Sequence, residues 1–494
     1  MCLLSRLKRG IAHARRAVAR GAGGRWLRAT TATRRELLSL AWPIATAMGG
    51  ETVMGLVDTK LVGGLGPAAL GGVGVAMTIA FVGYMFVFGL MRGVKVCVAH
   101  AEGRREEHLG VRYAQAGVVL GLAAGALFWA CTREVAPLLR AVHVDPALVP
   151  YAQAFLSAYT CGAPASAMVS AMTHHRQAIG DSRTPMVVSL LGNVLNGWLG
   201  WSLIYGHAGL PALGVQGGAI ATAATEWLEA AAMLALLAAA ARAARRSAAR
   251  RTSRGEPTLA RAVREVAALG IPTGVQFGSE MLAFTTFTAV LGTLGAEQVA
   301  AHQVALAVIR TSFLPGAAVA EAASVLVGRA LGRGSLADAD LAAGAALATA
   351  VAFMASCGVV FAIGGGAIAR AFSSDPAVAS TTRTLLGIAA AFQVLDAAYM
   401  VMRGALRGAR DVRVPALVGV AVVWTCVPSA ALLLGRFAGW GAAGGWLGFV
   451  GETALGTVLL TRRWRRGRWR SDYMSAAPPH APASAACSCS ANVA

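Results

Sequence analysis

The sequence predicts an all-α membrane protein: twelve transmembrane helices in two parallel-repeat six-helix lobes. Three observations predict it. The 494 residues are 56% hydrophobic and only 14% charged, with a mean hydropathy of +0.60, whereas soluble domains carry about 25% charged residues. Apolar windows of the length that crosses a bilayer, roughly 20 residues, recur along the chain. The two halves also repeat each other.

The windows fall near 40–62, 72–98, 113–131, 150–172, 186–206, 214–240, 267–293, 298–325, 341–363, 383–403, 414–435 and 441–461. They are continuously apolar and rich in Ala, Leu and Gly, unlike the short alternating strands of a membrane barrel. In the repeat, Pro43 matches Pro272, Glu51 matches Glu280, Leu65-Gly66 matches Leu294-Gly295 and Gly103-Arg104 matches Gly332-Arg333, each 229 apart. Asp181 and Asp411 follow at 230, and Gly214 and Gly441 at 227. Six helices per copy is an even number, so both copies enter the membrane the same way round. In transporters built from such repeats the site lies near mid-depth between the halves.

Charge divides the chain and orients it. Of the 44 Lys and Arg residues, 35 fall in 1–39, 99–112, 173–185, 242–264, 329–338, 403–413 and 462–470. Basic residues in short loops stay on the cytoplasmic side, so a multi-pass protein of the inner cell membrane with both termini cytoplasmic is expected. The net charge of +21 then needs no nucleic acid, because anionic lipid headgroups suit such flanks. The expected organisation is a basic cytoplasmic segment (1–39), an N-lobe (40–241), a basic linker (242–265), a C-lobe (266–461) and a disordered cytoplasmic tail (462–494). Residues 1–35 read as a helix lying on the membrane surface, with a targeting segment as the alternative. The cysteines, Cys487 and Cys489 in the tail included, show no metal-site spacing.

Charges in hydrocarbon are costly and are kept for structure or function. Eight acids fall inside the windows: Glu51, Asp58, Glu226, Glu229, Glu280, Glu321, Asp396 and Glu452. Glu51, Gly55 and Asp58 share one helix face by spacing. Glu280 takes the place of Glu51 in the seventh helix, where Phe277, Phe284 and Phe287 share its face, and Asp396 lies near Phe392, Tyr399 and Met400. Acids beside aromatic faces suit lipophilic cations, so Glu51, Phe277, Phe284, Phe287, Phe392, Tyr399 and Met400 are candidate substrate-binding residues. Desolvation makes a lone carboxylate costly, so such a group can take a proton and release it when a cation arrives. Asp58, Glu280 and Asp396 are the candidates for coupling to an ion. Arg92, Lys95, Arg310 and Glu321 are candidate ion-pair residues, and a pair between Arg92 and Glu321, 229 apart, would cross the lobes. His174 and His175 read as headgroup or loop contacts. There is no nucleotide-binding Walker motif and no nucleophile elbow, hence no catalytic residue and no cofactor beyond the coupling ion.

Several stretches together resemble the multidrug and toxic compound extrusion (MATE) family: Trp42-Pro43, GLVDTKLVGGLGPAAL (55–70), HRQAIGDSRTP (175–185), LGVQGGAIAT (213–222), LGIPTGVQFGSEMLAF (269–284), LGAEQVAAHQVAL (294–306), LVGRALGRG (326–334) and FQVLDAAYMVMRGALRGARDVRVP (392–415). The resemblance implies a pair of six-helix lobes forming a V-shaped cavity, and export of drugs, often organic cations, against sodium ions or protons. The family's first-helix Asp falls on Asp58, its seventh-helix Glu on Glu280 and its tenth-helix Asp on Asp396, as in its bacterial sodium- or proton-coupled branch; the resemblance thus implies coupling to Na+ or H+ at these three, with Glu280 and Asp396 the candidate Na+ ligands. The partners expected are small-molecule substrates and the lipid bilayer, with the protein functional as a monomer. THHRQAIGD departs from the usual LRG at the end of the fourth helix, and Arg92 and Lys95 stand where small or polar residues are expected; two cations there would favour anionic or zwitterionic cargo. A lipid-linked oligosaccharide flippase of the same superfamily and a membrane-embedded transferase are the alternatives.

Overall fold

A computed structural model describes residues 23–141, 143–248 and 257–470. The surface helix expected over 1–35 lies largely outside them, as do residues 471–494. The described chain is mostly helical, with twelve spans: Gly23–Gly63, Pro67–Gly103, Glu107–Thr132, a fourth made of Val149–Tyr159 and Ala163–Ala178, Arg183–Tyr205, Val215–Ala248, Leu259–Gly292, Ala296–Gly332, Leu336–Phe372, Pro376–Gly408, Arg413–Ala430 and Gly441–Arg466, and a short helix, Ala136–Ala141, between the third and fourth. Each expected window lies within or largely overlaps one of them. The helices outrun the apolar windows because a helix continues into the polar boundary as long as its backbone bonds close. The first therefore begins at Gly23, and Trp469, beyond the twelfth, is buried and stacked on Trp464 with ring centroids 4.5 Å apart. Arg470 pairs with Asp340 at 2.7 Å, so the segment 462–470 is built into the fold rather than forming a tail.

Among the described residues, nine helices are long and apolar enough to cross a membrane by composition alone. The first, fourth and seventh spans are the others. The fourth is divided by the 3-10 turn Thr160–Gly162 into pieces too short to qualify; the first carries Glu51, Asp58 and Lys60 and the seventh Glu280.

Local chemistry fixes the ends. Gly66 and Gly295, the matched glycines of the repeat, precede the second and eighth spans with φ of 104° and 116°, a region L side chains avoid. Thr258, Ser335 and Asp375 cap helices by accepting backbone N–H bonds from Arg261, Asp338 and Ala377. Pro428 cannot donate to the carbonyl of Trp424, and the hydroxyl of Ser429 donates to it instead at 3.3 Å. The helix continues past this break as a π-helical segment, Ala431–Phe437.

The lobes meet at the end that carries the helical start of the chain and the link between sixth and seventh spans, here termed the basic end. The second span lies along the seventh and against the eighth, backbone to backbone. A Cβ on Gly93 would lie 2.2 Å from the carbonyl oxygen of Val266, one on Gly270 2.0 Å from that of Leu90, and one on Gly103 2.3 Å from that of Arg329. Small residues permit such approach, which compensates for the weak hydrophobic drive between helices in lipid. Replacing Gly270 by Ala puts a methyl into an immovable backbone atom and should cost about 3 kcal/mol, the upper end for overpacking. Gly344→Ala, whose Cβ would meet nothing within 4 Å, should leave the unfolding midpoint unchanged or raise it; thermal unfolding of the two purified variants makes the comparison.

Candidate functional site in the bundle interior

Where the second, seventh, eighth and tenth spans converge, the interior is charged. Glu321, 9% exposed, accepts from Arg92 through one carboxylate oxygen and from Lys95 through the other, both at 2.6 Å. The pair between Arg92 and Glu321 crosses from the second span to the eighth, as the repeat offset predicts, and Lys95 joins it. Arg310, the fourth residue of the expected set, is exposed and forms no ion pair among the described residues.

Next to this cluster, Glu280 accepts from Arg403 at 2.5 Å and from the amide of Gln276 at 2.8 Å. The other end of Gln276 accepts from Arg407 at 3.4 Å. The sequence reading put Arg403 and Arg407 in a basic segment at the membrane boundary. Instead the tenth span runs on to Gly408, because Gly404 and Gly408 let it close onto the eighth: a Cβ on either would lie within 2.4 Å of a carbonyl oxygen there, Ala320 or Ser324. That draws both arginines into the interior, where Arg407 is 7% exposed. Glu280 is accordingly half of an ion pair and not a lone carboxyl. Asp396 and Glu452 lie within electrostatic reach of Arg403, and neither forms an ion pair of its own among the described residues.

The aromatic faces assigned to cargo divide in the same way. Phe277 is covered by Arg92 and Arg407, whose guanidinium carbons sit 4.2 and 5.1 Å from the ring centre. Tyr399 is covered by Arg403 at 4.4 Å. Phe287 and Phe392 are buried in the core of the C-lobe, with Phe284 5.7 Å from Phe449 and partly exposed. Met400 packs in a second core with Leu40, Ile44 and Met354. The period of a helix gathers these residues on one face, but neighbouring helices take up most of it. His174 and His175 are likewise buried, at 2% and 3% exposure, with His174 against Phe88 at 5.4 Å between ring centres. They contact the protein interior and not lipid headgroups.

The N-lobe holds a different set. Asp58, Glu226 and Glu229 are half-buried and Glu51 is exposed; none of the four forms an ion pair among the described residues. Glu51, Asp58 and Glu226 all act electrostatically on Tyr159, at the break in the fourth span. The turn itself makes room for one of them, since a Cβ on Gly162 would lie 2.3 Å from a carboxylate oxygen of Glu226. Gly192 does the same for Glu229. The sequence reading gave Glu226 and Glu229 no place beside Glu51 and Asp58; the fold sets the four acids in one lobe, with Glu226 hydrogen-bonded to Ser166 and with no ion pair to any of the four among the described residues.

At the basic end, Asp181 pairs with Arg176 and accepts the backbone N–H of Thr184 at 3.0 Å. Partial burial raises its pKa, but the bonds from Thr184 and the charge of Arg176 outweigh this and hold the carboxyl below its ordinary range. HRQAIGDSRTP is thus a turn-and-cap device.

Comparison with known proteins agrees with this geometry. Residues 43–202 and 272–432 match the MatE family, so the pattern occurs once in each lobe, offset by the 229 residues of the repeat. The chain is 34% identical over 433 residues to a probable multidrug resistance protein NorM of Burkholderia pseudomallei, covering 86% of this chain and 91% of the relative. It is 35% identical over 434 residues to the multidrug resistance protein NorM of Burkholderia vietnamiensis, covering 86% and 92%. Among solved structures it superposes on a eukaryotic MATE transporter with a TM-score of 0.79 at 20% identity, covering 90% and 98%. It also superposes on a MOP superfamily transporter from Pyrococcus furiosus with a TM-score of 0.77 at 19% identity, covering 89% and 96%. A family pattern matched in both lobes, relatives aligned along nearly their whole length, and a fold shared with solved transporters lead to one conclusion: the chain belongs to the MatE family of multidrug and toxic compound extrusion transporters, and is a multi-pass membrane transport protein rather than an enzyme.

Proposed function

We propose that this protein is a secondary active multidrug exporter that moves amphiphilic compounds with a cationic group out of the cell in exchange for Na+ or H+, by alternating access between the two lobes. The observation that carries the reading is the set of N-lobe acids, Glu51, Asp58, Glu226 and Glu229, in a membrane-spanning lobe without a cationic partner among the described residues. Unpaired carboxylates in an apolar bundle are costly, and the cost falls when a proton, a sodium ion or a cationic cargo occupies them in turn. The curated relatives are named for multidrug resistance, which supports drug-like cargo. In the C-lobe, Asp396 and Glu280 are the coupling carboxylates of the proposal, with Glu280 tethered to Arg403.

The lobes 40–241 and 266–461 are the moving units of this scheme, and the protein works as a monomer in the inner membrane. The excess of Lys and Arg at the basic end supports cytoplasmic termini.

The test is transport in proteoliposomes. A sodium or proton gradient should drive movement of a fluorescent lipophilic cation in the wild type. Asp58→Asn, Glu226→Gln and Asp396→Asn should each lower the rate more than tenfold while the protein remains monodisperse. Undiminished gradient-driven transport in all three would remove these carboxylates from the mechanism.

A further inference from the structure

Where the lobes meet, between the ion pairs of Glu321 and of Glu280, lies a small cavity of about 10 Å³, lined by Arg92, Lys95, Glu321 and Arg407 with Thr273 and Ser324. That is room for one water-sized particle. Its charges do not balance: three cations face a single carboxylate, and the nearest further acid, Glu280, is bound to Arg403 at 2.5 Å. All three cations are more than nine-tenths buried, with exposures of 8% for Arg92, 2% for Lys95 and 7% for Arg407. Both arginines on the wall also keep a buried donor with no partner, the Nε–H of each. A buried cation without a counter-charge is heavily penalised, and a buried N–H without an acceptor adds to the cost.

We propose that this cavity is a binding site for one small inorganic anion of the halide class, held by Arg92, Lys95 and Arg407. A monatomic anion fits the volume, supplies a counter-charge beside Glu321, and accepts from donors that have no other acceptor. Since Arg92 and Lys95 belong to the second span and Arg407 to the tenth, the anion ties the lobes together where they meet and favours the state in which that end is closed. The site is independent of the cationic cargo proposed above and stands if that reading fails.

The experiment uses the purified full-length protein in detergent without cargo. Sodium chloride is replaced by sodium gluconate, whose anion is too large for the cavity, at constant ionic strength. Chloride and bromide should raise the unfolding temperature by several degrees along a saturating curve. The rise should vanish in Arg407→Gln and persist in Arg140→Gln, which changes an exposed residue. Should Arg407→Gln fail to fold, wild-type crystals grown in bromide decide the matter by an anomalous peak between Arg92, Lys95 and Arg407. No halide dependence, an undiminished rise in Arg407→Gln, no bromide peak, or stabilisation only by a carboxylate-bearing amphiphile would each overturn the proposal.

Discussion

Glu321→Gln should be among the most destabilising single changes in this protein, lowering stability by about 3–5 kcal/mol, the usual cost of removing one member of a buried ion pair. The carboxylate is the sole partner of both Arg92 and Lys95 among the described ion pairs, each at 2.6 Å, so its loss leaves two buried cations without a counter-charge. Measurement is by the unfolding midpoint in detergent and the monodisperse fraction after extraction. The charge exchange Arg92→Glu with Glu321→Arg should recover part of the loss, because the cross-lobe pair re-forms with its polarity reversed; Lys95 then faces a glutamate from its own helix. A single variant as stable as the wild type would mean that these groups are solvated rather than enclosed.

The second large effect separates coupling from structure at Glu280. Glu280→Gln leaves Arg403 buried without its 2.5 Å partner and should cost about 3 kcal/mol or more, together with gradient-driven transport. Arg403→Gln leaves the carboxylate stranded and should destabilise to a similar degree. The double variant removes both charges at once, and coupled charges of this kind are not additive. It should therefore recover most of the stability while transport stays more than tenfold reduced. If transport returns together with stability, Glu280 is an anchor for Arg403 and has no part in coupling.

The contrast between these two sites shows what the sequence makes legible. Hydropathy located all twelve spans, including the three whose composition fails a strict apolar test, and the repeat agrees with it: Pro43 and Pro272 fall in the first and seventh alike. The pairing of Arg92 with Glu321 was legible for the same reason, since symmetry places matched positions near each other across the axis. Arg403 was misplaced because RGALRGAR has the composition of a basic boundary segment, and hydropathy averages over a window. A signal was nevertheless present: Asp396, Tyr399, Arg403 and Arg407 recur every three or four residues, which makes one charged helix face. Phe287 and Phe392 were misread for a different reason. Periodicity tells which residues share a face but not whether that face meets a cavity or another helix, and here Trp446 and Phe449 cover it.

The glycine seam has a mechanical consequence. Most helix contacts interdigitate, so sliding or tilting one helix past another requires side chains to leave their rotamers and repack. Along Gly93, Gly103 and Gly270 the touching surfaces are main chain on main chain, smooth at the scale of a methyl group. Such a junction works as a bearing: the halves can roll on it with few detents, and resistance to rotation is concentrated in a handful of electrostatic latches that ions can set or release.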